Sequence, residues 1–117
     1  MQGGKSPTKA QQDWQNWQRE QGCSNCGADN PAIHHCVGST AKHNKVHIGQ
    51  WWTIPLCYEC HQGQEGIHHG MQRFNEHNLT RKEAEKRFFS FLENDYWHNT
   101  SRIIPDDVTM AIMDYHK

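Results

Sequence analysis

Two Cys-x-x-Cys pairs place the strongest constraint on what this chain can fold into. Cys23 and Cys26 form the first pair, and Cys57 and Cys60 form the second, about thirty residues later. Four thiolates in a tetrahedral array suit Zn²⁺, and turn residues beside each pair allow the sulfurs to face one point. A thioredoxin-like redox pair would lack its βαβ setting and would leave the other pair unexplained. The spacing therefore predicts one structural zinc that joins the two pairs.

The composition agrees with stabilisation by metal. Only 34% of the 117 residues are hydrophobic, so the apolar core must be small and needs help from another source. Disulfides are the rival explanation, but the amino terminus from Met1 to Lys5 leads into a polar, glutamine-rich stretch rather than an apolar signal sequence. No apolar run is long enough to span a membrane. We expect a soluble protein of a reducing compartment.

The charge is distributed unevenly although the net charge is only −1. Residues 30–58 contain no Asp or Glu, but they carry Lys42, Lys45 and several histidines. Bound metal would add further positive charge, so a phosphate backbone could approach this stretch. An ordinary solvated loop is the alternative that charge alone leaves open.

Capping signals predict helices near both termini. Ser6-Pro7 is expected to begin a helix that continues to about Gln21, ends at Gly22 and buries one apolar stripe, Ala10, Trp14 and Trp17. A second helix is expected from His68 or His69 to about His77. Thr80 and Glu83 form a capping-box pattern for a third helix, whose buried stripe would be Ala84, Phe88, Phe91 and Leu92.

After a polar stretch, residues 94–102, Pro105 is expected to open the last helix, with four residues on its buried side: Val108, Ala111, Ile112 and Tyr115. Two short strands are predicted between the cysteine pairs, at residues 33–37 and 51–56, with a loop over 38–49. Proline has no backbone donor, so Pro55 must lie on an edge strand or at the end of the second strand. The predicted class is α+β.

The histidines near the cysteine pairs suggest a second site. His34 and His35 are adjacent on a predicted strand, and adjacent strand residues point to opposite faces, so the two rings must have different roles. One can bind a metal while the other serves as a base. His61 directly follows the second cysteine pair, and His68-His69 stands seven residues further on.

These residues carry a family resemblance. His34-His35, the segment Ile54-Pro-Leu-Cys-Tyr-Glu-Cys-His61 and the segment Gly66-Ile-His68 follow the order found in the HNH (ββα-metal) superfamily. The pattern most resembles the phage Ref-like group of recombination-enhancing nucleases and covers about residues 8–93. It implies a zinc-stapled ββα-metal core with flanking helices. We therefore expect a disordered lead at residues 1–7, a nuclease domain at 8–93 and a helical extension at 94–117.

The resemblance also implies roles for single residues. It makes His35 the general base and makes His34, His61 and His68 the ligands of a catalytic ion, with His69 as the alternative to His68. The middle Asn or His of many HNH motifs would fall near Trp52, which can neither orient a base nor bind a metal. The base then needs another orienting partner, for which two loop histidines are candidates, His43 and His47. The fifth cysteine, Cys36, is expected to be a small buried residue.

The function implied by the resemblance is hydrolysis of DNA by a metal-dependent endonuclease using Mg²⁺, Mn²⁺ or Zn²⁺. Contacts with the DNA backbone are expected from Lys42, Lys45 and Arg73, with little sequence preference. The resemblance further implies a RecA-type recombinase filament as a possible partner, phage or prophage recombination as the setting, and the cytoplasm of the bacterial host as the location. The alternative is a non-catalytic zinc module that binds nucleic acid or protein.

Overall fold

The computed structural model describes residues 6–62 and 80–115. These residues form four helices and four short strands, and the second cysteine pair lies beside and within the shortest helix. In chain order the elements are α1 (Lys9–Gln21), β1 (Ala32–His35), β2 (Lys42–His43), β3 (Val46–His47), β4 (Thr53–Leu56), α2 (Tyr58–Gln62), α3 (Arg81–Thr100) and α4 (Asp106–Asp114). This mixture of helices and antiparallel strands confirms the predicted α+β class.

Helix α1 begins later than the sequence pattern suggested. Thr8 is the N-cap: its side chain accepts a hydrogen bond from the backbone N–H of Gln11, and the Gln11 side chain accepts one from the backbone N–H of Thr8. This reciprocal pair satisfies two free donors, which explains why the helix does not start at Ser6. Gly22 ends the helix with φ of +82°, as expected. Ala10 is exposed, so the prediction that it belongs to the buried stripe is wrong.

The main sheet has two strands. β1 and β4 are antiparallel, with His34 opposite Ile54 and His35 opposite Thr53. Both strands are edges, which is compatible with Pro55 in β4. A smaller hairpin, β2 and β3, occupies the predicted loop and turns through Asn44 and Lys45, both at positive φ.

The core lies where α1 and α3 pack against β4. Trp14 is fully buried and packs edge-on against Phe89 and Tyr96 of α3, with ring centroids 5.9 and 4.9 Å away. Phe91 was expected in this core but is 60% exposed, because the buried stripe of α3 passes through Phe89. The predicted buried positions Ala84 and Leu92 are confirmed.

The carboxy-terminal residues belong to the same core. Helix α3 continues through residues 94–100, which were expected to be a polar connection, because Tyr96 is buried there. The expected boundary between residues 93 and 94 therefore falls inside a helix. In α4 the predicted positions Val108, Ala111 and Ile112 are buried and join the hydrophobic cluster that contains Trp14. None of the described helices, α3 with its 20 residues included, is long and apolar enough to cross a membrane.

Candidate metal centre

The two cysteine pairs converge on one point. The first pair lies in the turn after α1, and the second lies at the start of α2. All four sulfurs are within 4.8 Å of one another, and Sγ of Cys26 is 3.5 Å from Sγ of Cys57. Tetrahedral zinc with Zn–S bonds of about 2.3 Å needs sulfurs about 3.8 Å apart. The donor set Cys23, Cys26, Cys57 and Cys60 therefore fits a zinc ion.

Backbone hydrogen bonds hold the first pair against the strand that leads to the second. The N–H of Ser24 donates to the carbonyl of Pro55 at 2.8 Å, and Pro55 lies two residues before Cys57. The N–H of Gly27 donates to the carbonyl of Cys23 at 2.8 Å, with Gly27 at φ of +80°. The sulfurs are thus brought together by a turn that needs a left-handed residue and by its attachment to β4.

The thiols differ in acidity. Burial raises the pKa of Cys23, but hydrogen bonds from the backbone N–H groups of Cys57, Cys26 and Asn25 outweigh it and lower the pKa to about 7. Burial and the neighbouring thiols raise the pKa of Cys60 to about 12, against the opposing hydrogen bond from the Asn25 side chain at 3.3 Å. Four thiolates this close together would repel one another, and a bound cation would offset that repulsion.

His34 and His61 form the second candidate centre. Nδ1 of His34 is 3.0 Å from Nε2 of His61, and the ring centroids are 4.9 Å apart. The other ring nitrogen of His34, Nε2, lies 2.6 Å from Oε2 of Glu85. An ionised carboxylate only accepts, so Nε2 carries the proton and Nδ1 directs its lone pair toward His61. Two nitrogens bound to one ion at about 2.0–2.1 Å lie about 2.9–3.4 Å apart, which this separation fits.

Glu85 belongs to this centre, although the sequence pattern did not predict it. It is fully buried, and Nζ of Lys82 and Nε of Arg81 lie 3.1 and 3.5 Å from its carboxylate. Burial raises the pKa of Glu85, but the hydrogen bond from His34 and the charge of Lys82 outweigh it, so the pKa lies below its usual value. A signal existed in the sequence, since Glu85 shares a helical stripe at spacings of four and seven with Phe89 and Leu92.

Cys36 lies beside this pair but is better explained as a core residue. Its sulfur, a ring nitrogen of His34 and a carboxylate oxygen of Glu85 all lie within 4.8 Å of one another. Burial and the charge of Glu85 raise the pKa of Cys36 well above its usual value, so it remains a thiol. Because Lys82 and Arg81 already neutralise the carboxylate, the trio reads as a packed, hydrogen-bonded cluster. The expectation of a small buried residue is confirmed.

His35 has a different set of partners. Its Nε2 lies 3.0 Å from Oε1 of Gln50, which is itself in contact with Gln15 of α1. Of the two histidines proposed as orienting partners, His43 contacts Asp114 of α4 at 3.2 Å, and His47 is exposed on β3. The suggestion of His43 is wrong because α4 packs against the β2–β3 hairpin. Trp52 is fully buried and belongs to the core.

The predicted backbone-contacting lysines are both exposed. Lys42, with Gln50 and His47, lines a polar cavity of about 350 Å³, so it lies near the partner of His35. Lys45 stands at the β2–β3 turn. The remaining predicted residues, His68 with its alternative His69 and Arg73, lie outside the described residues, as does the expected helix over 68–77.

A known protein family matches most of the chain. A family model described as protein of unknown function (DUF968) matches residues 1–92. No curated protein and no solved structure matches the chain. The matched span contains both candidate centres: the four cysteines, the histidines His34, His35 and His61, and the carboxylate Glu85.

Proposed function

The chain belongs to the DUF968 family, whose description assigns no activity, and from its histidine centre we propose that it is a metal-dependent DNA endonuclease of the HNH type. The observation that carries the proposal is the pairing of Nδ1 of His34 with Nε2 of His61 at 3.0 Å, with Glu85 on the opposite nitrogen of His34. A carboxylate that holds one ring nitrogen while the other binds a metal is the usual support of a histidine ligand.

We assign each proposed site residue a role in hydrolysis of a phosphodiester. His34, His61 and His68 would hold a divalent ion, and a bound ion would neutralise the charge that accumulates on the phosphoryl and leaving oxygens. His35 takes a proton from the attacking water. Imidazole suits this step because its ordinary pKa lies near neutrality. By resemblance to the Ref-like nucleases, the products carry 5′-phosphate and 3′-hydroxyl ends.

The zinc centre is the scaffold for this chemistry. The four cysteines fix the end of β4 and the start of α2, and α2 carries His61 directly after Cys60. Lys42, Lys45 and Arg73 contact the DNA backbone without reading sequence, so selectivity comes from DNA structure or from a partner such as a RecA-type filament.

The test compares single variants in a DNA cleavage assay with Mg²⁺, Mn²⁺ or Zn²⁺, with and without a recombinase filament. His35→Ala is expected to cleave at least about 10²-fold more slowly than the parent, the lower range for loss of a general base, and to retain ion and DNA binding. His61→Ala is expected to lose the exchangeable ion while it keeps the structural zinc. The matched control is His98→Ala, which changes an exposed histidine on α3.

Two outcomes oppose the proposal. Cleavage by His35→Ala at the parental rate would show that His35 is not the general base. A parent that cuts under none of these conditions, although it is folded and loaded with zinc, would instead favour a non-catalytic zinc module that binds nucleic acid or protein.

A further inference from the structure

The contact between His35 and Gln50 continues through a second glutamine, Gln15. We infer that Gln50, held in place by Gln15, is a positioning residue that keeps the proton of His35 on Nε2 and leaves Nδ1 as the nitrogen that accepts the proton of water. The catalytic part of this inference rests on the proposed nuclease function. The hydrogen-bond directions do not, because they follow from the contacts among Gln15, Gln50 and His35 alone.

The first step fixes the amide of Gln15. Nε2 of Gln15 lies 2.8 Å from the backbone carbonyl oxygen of Gln50. A carbonyl oxygen can only accept, so the group of Gln15 that faces it must be the NH₂ group. Turning this amide over would set two oxygens against each other at hydrogen-bond distance.

The second step fixes the orientation of the Gln50 side-chain amide. The same Nε2 of Gln15 lies 3.0 Å from the side-chain Oε1 of Gln50. Because the Gln15 group is a donor, the atom of Gln50 that faces it must be the acceptor oxygen. Gln15 is only 6% exposed, so a mismatched pair of donors here would be poorly solvated by water.

The third step fixes which ring nitrogen of His35 carries hydrogen. Oε1 of Gln50 also lies 3.0 Å from Nε2 of His35. An oxygen that only accepts requires a donor, so Nε2 carries hydrogen and, in the neutral ring, Nδ1 has the free lone pair. The same bond fixes which way the ring is turned. A general base must present its lone pair at a defined position, so this bond selects both the nitrogen and its direction.

Two further hydrogen bonds join helix α1 to strand β4 beside His35. Gln18, one turn along α1 from Gln15, donates to the carbonyl of Thr53 at 2.8 Å and accepts from its hydroxyl at 2.9 Å. Thr53 is the residue of β4 that lies opposite His35. Helix α1 therefore contacts β4 through Gln18 and contacts Gln50, the partner of the His35 ring, through Gln15. This arrangement is typical of a base whose support is built into the scaffold.

The direct test is NMR of the imidazole nitrogens in ¹⁵N-labelled, zinc-loaded protein. In the parent, His35 is expected as a single form with hydrogen on Nε2 and with a slowly exchanging Hε2 proton. Gln50→Leu removes the acceptor, so the spectrum should move to an average of two tautomers and the Hε2 signal should be lost. Gln50→Glu keeps an acceptor oxygen and should retain the parental form. Gln15→Leu should loosen it, whereas Gln12→Leu, at an exposed position of α1, should not.

Cleavage assays give the functional half of the test. Gln50→Leu is expected to lower kcat by more than about tenfold, but by less than the full 10²–10⁴-fold contribution of a general base, with KM little changed and with rescue by Gln50→Glu. Hydrogen on Nδ1 in the parent, or a His35 spectrum that Gln50→Leu leaves unchanged, would overturn the inference. The expected spectra in a protein that never cleaves DNA would overturn the nuclease proposal and the role of Nδ1 as a base, while the positioning of His35 by Gln50 would stand.

Discussion

Nε2 of His34 donates a 2.6 Å hydrogen bond to Oε2 of Glu85, and neither side chain is more than 2% exposed. The pair joins β1 to α3 across 51 positions of sequence. Residues 30–58 contain no acidic residue, so α3 supplies the negative charge that this part of the chain lacks. Buried charges are maintained only where they are paired, and Glu85 has His34, Lys82 and Arg81 as partners.

The first prediction concerns this pair. Glu85→Gln retains the shape of the side chain but removes the charge that fixes and strengthens His34 as a ligand. Affinity for a divalent ion at the His34–His61 centre should fall by about 10–100-fold, measured by calorimetric titration with Mn²⁺ or Zn²⁺ after the cysteine site is filled. Asp95→Asn, at an exposed carboxylate on the same helix, is the control. An unchanged titration of Glu85→Gln would mean that Glu85 serves packing alone.

The second prediction concerns the structural zinc. Cys23→Ser should abolish tightly held zinc and unfold much of the chain, because a core this small depends on metal for stability. Native mass spectrometry and thermal melting measure the two effects. The chain offers its own control in Cys36→Ala, which alters a buried cysteine outside the four-sulfur cluster and should leave one zinc bound. Equal zinc content in the parent and in Cys23→Ser would show that the four cysteines do not form the zinc site.

The third prediction concerns the approach of two loop segments near Gln50. A Cβ at Gly49 would clash with the carbonyl oxygen of Gly38 and with the backbone of Ser39, so the loop must shift. Gly49→Ala should destabilise the protein by about 1–3 kcal/mol, as overpacking does, in urea unfolding. Gly38→Ala is the matched control, because a Cβ there meets nothing within 4 Å. Equal unfolding midpoints for the two variants would contradict this account.

The fourth prediction concerns acid sensitivity of the α3 cap. Hydrogen bonds from the backbone N–H and the hydroxyl of Thr80 lower the pKa of Glu83. A pKa that is lower in the folded state adds stability above the unfolded value, and this stability is lost as pH falls through the folded pKa. The stability difference between the parent and Glu83→Gln should therefore shrink in acid. The neutral capping box of α1 provides the comparison: the effect of Gln11→Leu should not follow this carboxylate titration. A Glu83→Gln difference that stays constant with pH would contradict the prediction.

Features that depend on spacing along the chain could be predicted from the sequence. The two Cys-x-x-Cys pairs predicted the four-sulfur cluster, and the Thr80–Glu83 pattern predicted the start of α3. Adjacent strand positions also predicted different roles for His34 and His35, and the two rings do have different hydrogen-bond partners. These features depend on atoms a few residues apart, or on ligand chemistry that few other residue types can satisfy.

The polar residues that support the histidines are distant in sequence and could not be predicted before the packing of the helices was known. Glu85 reaches His34 across 51 positions, and Gln15 reaches Gln50 across 35. Both contacts arise because α1 and α3 pack against β4, which sets their rotation about their own axes. That rotation also buries Phe89 and exposes Phe91. A buried glutamine or glutamate looks like a solvated one in sequence, because its role depends on which partner the packing brings within 3 Å or so of it.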